Sequence, residues 1–222
     1  MQAGQTMVDP VDGYEVALFP LVALYVYQGE NTGSHLGTYN IDLHGYRYNG
    51  SRWVRQYNAP IYAPCTCKLV YKNPDGEAGG HLRIFQSVNP VHTPSGLKYI
   101  TFYFGHDPSP PVNTIGQVCS QGSLIYHTGN YGESSGDHSH TCVGSGTWVN
   151  WSTSMTTRSS GHQDLTNHIH YWEGFYVNDT EILRTLGYNW QTYTPPVPPT
   201  PTDTGGKFPW FIYERKRRLL WK

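Results

Sequence analysis

TGNYGESSGDHSHTC, Thr128 to Cys142, hands a glycine-rich turn over to an alternating His-Ser-His. Side chains alternate faces along a strand, so a strand through this stretch points His138 and His140 to the same side. Two imidazoles on one face signal a metal site or an acid/base pair, because neutral imidazole is the commonest metal ligand and the usual proton shuttle. If the strand continues, Cys142 shares their face, which makes it a further candidate ligand beside its plainer reading as a buried thiol. A second His-x-His, His168 and His170, lacks any flanking glycine turn, and its ordinary reading is a polar strand without metal.

Outward from this stretch the chain is a series of short apolar pieces separated by Gly, Pro and Asn. A polar leader runs to about Gly13, then a strand is expected from Leu21 to Gln28, ended by GENTGS, with His35 in the loop that follows. In TYNIDLHGY, Asp42 and His44 share a strand face. RWVRQY, PIYAP, CKLVYK, HLRIFQSV and LKYITFYF are further strand candidates, the last running into Gly105, His106 and Asp107. Strands this short and this regularly interrupted read as a sheet folded on itself rather than as βαβ units. Val143 to Gly161, rich in Ser, Thr and Gly, reads as a long loop or hairpin. One helix is expected, Thr180 to Leu186, where Asn178 and Glu181 form a capping-box pattern and Gly187 a stop.

Composition agrees with an all-β reading. In 222 residues there are 24 Gly, 16 Pro and 18 Tyr, and no long helical period. A formal net charge of −1 argues against a nucleic-acid partner, but the charge is unevenly divided. From Lys207 onward six basic residues face one acidic, roughly +5, leaving roughly −6 on the remainder. Cys65, Cys67, Cys119 and Cys142 match no metal-finger spacing, and a C-x-C pair in a strand does not bridge itself, so all four read as buried thiols. The apolar run Val16 to Tyr27 contains Pro20 and lacks a basic leader or cleavage site, so it reads as neither signal peptide nor membrane span. Any work outside a cell then needs delivery by something other than this N-terminus.

Residues 1–193 are expected to form the main domain. Thr194 to Gly206, TPPVPPTPTDTGG, reads as a polyproline linker. The tail from Lys207 to Lys222, KFPWFIYERKRRLLWK, mixes aromatics with Arg and Lys in a way that suits an anionic surface, a docking patch or an unstructured tail alike.

A catalytic zinc takes three imidazole or carboxylate ligands and one open position for water. His35 and Asp42 around one glycine-punctuated loop, His106 at a strand end, and His138 with His140 offer such a set. The chain has no H-E-x-x-H motif.

The ordered motifs SHLGTYNIDL, IYAPCTCKLV, YFGHD and NTIGQVCSQGSLIYHTGNYGESSGDHSH resemble the M23 zinc metallopeptidases of LytM or lysostaphin type, especially their bacteriophage versions, over roughly Phe19 to Val143 and more weakly to Trp190. The resemblance implies that His35, Asp42 and His140 hold one zinc ion per chain and that His106 and His138 face the bound water and scissile carbonyl. It implies an antiparallel β-sheet groove with long wall loops, and the peptide part of bacterial peptidoglycan as substrate, stem or cross-bridge. Six residues rather than the commoner three separate His35 from Asp42, which leaves His44 as a rival ligand. Cys65 and Cys67 replace a turn that is usually small or polar. Tyr131, Trp148 and Trp151 are candidates to line the groove, beside the plainer reading as packing.

Three readings follow: a phage-encoded wall endopeptidase acting in the virion or host cell wall, an inactive module of the same fold, and a structural tail component assembled with other phage tail proteins. All five motif positions are present, which favours the first.

Overall fold

The computed structural model describes residues 4–73, 81–109, 114–157 and 163–197. The first eleven strands are β1 (Ala23–Gln28), β2 (Ile41–Leu43), β3 (Tyr46–Tyr48), β4 (Trp53–Arg55), β5 (Pro60–Tyr62), β6 (Cys67–Lys72), β7 (Arg83–Ser87), β8 (Val91–Thr93), β9 (Gly96–Lys98), β10 (Ile100–Gly105) and β11 (Val118–Cys119). They are followed by β12 (Leu124–His127), β13 (Ser139–Ser145), β14 (Met155–Thr157), β15 (Gln163–Leu165), β16 (His168–Ile169) and β17 (Glu181–Arg184). Two helices of one turn each, α1 (Trp151–Ser154) and α2 (Tyr171–Gly174), complete the regular structure. The fold is all-β, as the spacing of the apolar pieces predicts. None of its helices is long and apolar enough to cross a membrane among the described residues.

Nine strands form the main sheet in the order β11-β6-β7-β10-β13-β2-β1-β17, with β16 also paired to β13. Alternation divides it into two faces. On one, Leu24, Val26, Ile41, Leu43, Leu69, Phe85, Phe102, Phe104 and Val143 join Phe19, Tyr171 and Phe175 in the large core. Burying a Leu or Phe side chain contributes roughly 1.5–3 kcal/mol, so this layer anchors the sheet from behind the opposite face. On that opposite face, Ile84, Tyr103 and Cys142 pack with Leu82, Met155 and Leu165 in a smaller cluster at one end. Asp42 and His140 lie on the same face, beyond the cluster. Cys142 is thus a core residue: its Sγ lies 3.3 Å from Asp164 Oδ1, and burial pushes the thiol well up. All four cysteines are buried and reduced.

The expected helix Thr180 to Leu186 is instead strand β17, which runs parallel to β1 with Ala23 opposite Glu181 and Leu24 opposite Ile182. A seven-residue helix has little to offset its nucleation cost, whereas the edge of β1 offers backbone partners at once. The Asn178 amide that would have capped the helix pairs with Tyr193 instead, accepting from its backbone N at 2.7 Å and donating to its carbonyl at 3.0 Å. The Ser/Thr-rich stretch after β13 contains α1, capped by the Asn150 side chain on Thr153 N, and one arm of the β14–β15 hairpin. Residues 198–206 of the expected linker and the whole basic tail lie outside the described residues.

Candidate metal centre

Sheet register builds the centre. On β13, His140 stands directly opposite Asp42 on β2 and opposite Gly105 on β10. Opposed side chains on one face of an antiparallel pair have Cβ atoms about 5 Å apart, so the pairing alone brings imidazole to carboxylate. His140 Nδ1 lies 3.0 Å from Asp42 Oδ1.

His35 arrives from outside the sheet, at the end of the single 3-10 turn Gly33–His35. The residues between it and Asp42 are tied back to His35 and to the segment before it: Asn31 N donates to Thr38 O at 3.0 Å, Gly37 N donates to Asn31 Oδ1 at 2.7 Å, and Thr38 Oγ1 donates to His35 O at 2.9 Å. The long spacing is absorbed as a folded loop, and His35 Nε2 still comes within 3.3 Å of Asp42 Oδ1. A carbonyl only accepts, so the 3.2 Å contact of His35 Nδ1 with Gly29 O fixes the proton on Nδ1 and aims Nε2 at the carboxylate. Metal-binding histidines are oriented by this kind of contact.

His35, Asp42 and His140 are all buried, and each offers a ligand atom within 4.8 Å of the others. Burial works against the Asp42 charge, but hydrogen bonds from His140 and His35 outweigh it and hold the carboxyl far below the ordinary carboxylate range. Two imidazoles and one ionised carboxylate make a donor set that fits zinc with a coordination position left over for water.

His106 and His138 face the same cleft. His106 sits one residue past β10 with φ of 81°, a left-handed conformation that costs a non-glycine residue of order 1–3 kcal/mol. In strand geometry it would follow Phe102 and Phe104 into the large core; the turn brings its ring to 4.6 Å from that of His138 and 5.9 Å from that of His140. Its Nδ1 donates to Tyr131 O at 2.8 Å, leaving Nε2 as the acceptor nitrogen. Burial, reinforced by the neighbouring His138, lowers its pKa to about 4. His138 Nδ1 likewise donates to Gly136 O at 2.7 Å, and its Nε2 lies 3.4 Å from Asp42 Oδ1.

The cleft has the five motif residues in one place, on one face of an all-β sheet, in the order the resemblance requires. This all-β arrangement is the one that the resemblance to the M23, LytM/lysostaphin-type, peptidases implies. No protein-family model matches the chain. Among curated proteins it is similar to Morphogenesis protein 1 of Bacillus phage B103, at 30% identity over 182 residues, 81% of this chain and 45% of that protein. The chain therefore spans less than half the length of that relative. Among solved structures, the catalytic domain of lysostaphin from Staphylococcus simulans aligns at 18% identity over 56% of this chain and 80% of its own, with a TM-score of 0.39. A zinc-containing peptidase from Vibrio cholerae aligns at 15% identity over 59% of this chain and 38% of its own, with a TM-score of 0.40.

The other candidates sit elsewhere. His44 is sandwiched between the rings of Tyr25 (5.4 Å) and Tyr27 (4.2 Å), outside the three-residue group, and burial together with the Arg55 charge lowers its pKa to about 3. His168 stacks on Tyr39 and lies 3.9 Å from Asp164. His170 donates to the buried Glu30 at 2.6 Å, whose other oxygen accepts from Tyr171 N. His127 lies 3.7 Å from Asp107. Tyr131 lends its carbonyl to His106 and stacks its ring on His81, while Trp148 and Trp151 pack on Tyr71.

Two supports escaped the sequence reading. Asp137 ties the hairpin that carries His138 to the neighbouring loop, accepting from Thr128 Oγ1 at 2.7 Å and from Asn58 N at 2.9 Å. Its place directly before His138 in GDHSH was a usable signal. Gly129 pairs with His138 through two backbone hydrogen bonds of 2.9 Å, and a Cβ there would meet the His106 carbonyl oxygen at 2.0 Å. Only glycine allows the two histidine-bearing segments to approach this closely.

Proposed function

We propose that this chain is a zinc-dependent endopeptidase that hydrolyses peptide bonds of bacterial peptidoglycan, in the stem or the cross-bridge, encoded by a phage for wall penetration or lysis. The observation that carries the reading is the convergence of the buried His35, Asp42 and His140 with two further histidines whose Nδ1 protons are held by backbone carbonyls. The similarity to a phage morphogenesis protein supports a place in the virion or at the host wall, with other phage tail proteins as neighbours. In that setting the basic tail would contact an anionic surface.

His35, Asp42 and His140 would hold the ion, one per chain. Bound zinc polarises a carbonyl and lowers the pKa of a coordinated water toward neutrality. His106, neutral at pH 7, presents Nε2 as a proton acceptor, and once protonated there it becomes a donor for the oxyanion. His138 presents its own Nε2 to the same space. With the two rings 4.6 Å apart, a proton gained at one Nε2 repels a second, so the pair takes up one added proton at a time through the cycle. This division replaces the glutamate base of other zinc proteases. The test is metal content together with the peptide fragments released from purified peptidoglycan: bound zinc with a newly freed amino group in the products supports the reading, and zinc without any product removes it.

A further inference from the structure

After Leu43 the chain carries Arg47, Arg52, Arg55, Lys68 and Lys72 before the next Asp or Glu, Asp75. The three arginines sit on the β3–β4 hairpin and its turn, a two-stranded arm outside the main sheet. Among the described residues Arg83 has a carboxylate at 3.6 Å, whereas Arg47, Arg52 and Arg55 have none at ion-pair distance. Aromatic rings accompany them. Tyr48 and Tyr57 are 57% and 71% exposed, Trp53 lies 5.8 Å from Tyr48, and the Arg55 guanidinium stands over Tyr57 at 5.5 Å. Arginine and tyrosine together are the composition of a binding surface, since each brings contact area and directed polar groups.

The arm is closed at its own base and fastened to the hairpin that carries His138. The Arg55 Nη2 donates to the carbonyl of Asp137, the residue before His138, and Gln56 N donates to Gly45 O at 2.9 Å. Tyr46 stacks on Tyr25 at 4.9 Å, and Tyr25 stacks on His44, two residues along from Asp42 on the same face of the sheet. A peptide lying across the metal centre would pass from the candidate ligands onto this wall.

We propose that the β3–β4 arm seats a carboxylate-bearing peptide, so that the chain selects the acidic stem peptides of peptidoglycan over uncharged cross-bridges. This rests on the peptidase reading above and names its substrate class. A guanidinium without an internal carboxylate partner meets a substrate carboxylate in bidentate geometry without first breaking a bond within the protein. At the rim of a cleft such charges act mainly on encounter rate and salt dependence.

The test uses the zinc-loaded full chain and sedimentation with purified peptidoglycan freed of teichoic acid, in two forms: carboxylates intact, and carboxylates converted to amides. The wild type is expected to bind the intact form about three- to thirtyfold more tightly at low salt, the range set by two exposed charge pairs. R47E/R52E is expected to bind both forms at the amidated level, with R47A/R52A intermediate, while zinc content and melting temperature stay at wild-type values. Equal wild-type binding to the two forms overturns the proposal, as does a double variant that keeps the preference. Binding that returns only when teichoic acid is left on the walls overturns it too, because a phosphate polymer is then the ligand. Fragment release is read separately. Carboxylate-blind binding with cleavage intact sinks this surface and spares the peptidase, whereas carboxylate-dependent binding without fragments keeps the surface and removes the peptidase.

Discussion

Replacing Gly129 with Ala should disable the cleft without emptying it of metal. A Cβ at this position would stand 2.0 Å from the His106 carbonyl oxygen and 2.5 Å from Pro108 Cδ. Ordinary contact begins at 3.4 Å, so the two segments must part by about 1.4 Å, and neither obstacle is a side chain that can rotate away. Overpacking of this kind costs about 1–3 kcal/mol of stability. Because Gly129 also pairs with the backbone of His138, the movement displaces both non-ligand histidines at once. A misplacement of about 1 Å costs on the order of a hundredfold in rate. The assay is urea denaturation, zinc content and fragment release measured side by side. The expected variant is destabilised, retains zinc on His35, Asp42 and His140, and turns over at least about a hundredfold more slowly. Gly136→Ala, in the same hairpin, is the control, since a Cβ there meets nothing within 4 Å, and its stability should stay within about 0.5 kcal/mol of wild type. A Gly129→Ala protein with normal stability and turnover would refute the close-approach argument.

Alanine at His35, Asp42 or His140 should cut bound zinc from one per chain to a small fraction, while His44→Ala, His168→Ala and His170→Ala retain it, as read by metal analysis of the purified proteins. Loss of metal from His44→Ala with retention in Asp42→Ala would mean that His44, not Asp42, supplies the ligand. His106→Ala and His138→Ala should each keep the metal yet lose roughly two to four orders of magnitude in rate; normal turnover in His106→Ala would shift attention to His127. Asp107 is buried, which alone would raise its pKa, but hydrogen bonds from His127 and Ser109 N and the Arg83 charge hold it below the ordinary value. Its stabilising contribution is therefore present above the unfolded carboxylate pKa of about 3.9 and lost as pH falls through the lower folded value. Denaturation of Asp107→Asn against wild type should show a deficit of about 1–3 kcal/mol at pH 7 that closes toward pH 3; a deficit independent of pH would contradict the ionised reading. Deleting Lys207 to Lys222 should leave zinc content and small-peptide cleavage unchanged while weakening sedimentation with whole walls or anionic vesicles, an effect that added salt should reproduce in the wild type.

Period-two alternation was enough to put His138 beside His140, because His138 is a bridge residue directly before β13 and continues into it. The strand spacing was enough for the all-β class. Asp42 was legible only through the ordered motif set, since what brings it to His140 is register between strands nearly a hundred residues apart, and register is not written in either strand alone. His106 shows a different limit: its parity with Phe102 and Phe104 assigns it to the core, and one positive φ reverses that assignment. The helix expected at Thr180 to Leu186 failed for the same reason. A local capping pattern lost to a tertiary partner, the open edge of β1, and its capping residue Asn178 was taken by Tyr193. His168 and His170 repeat the His-x-His spacing of His138 and His140 in sequence, but Asp164, Tyr39 and Glu30 occupy them.

The central claim is most directly tested by mass spectrometry of soluble fragments released from purified peptidoglycans of several cross-bridge types, using the zinc-loaded chain, the chelated chain and His140→Ala. The account predicts fragments carrying a new free amino group with the zinc-loaded protein and none with the other two. Zinc bound at one per chain with no fragment from any wall would contradict it.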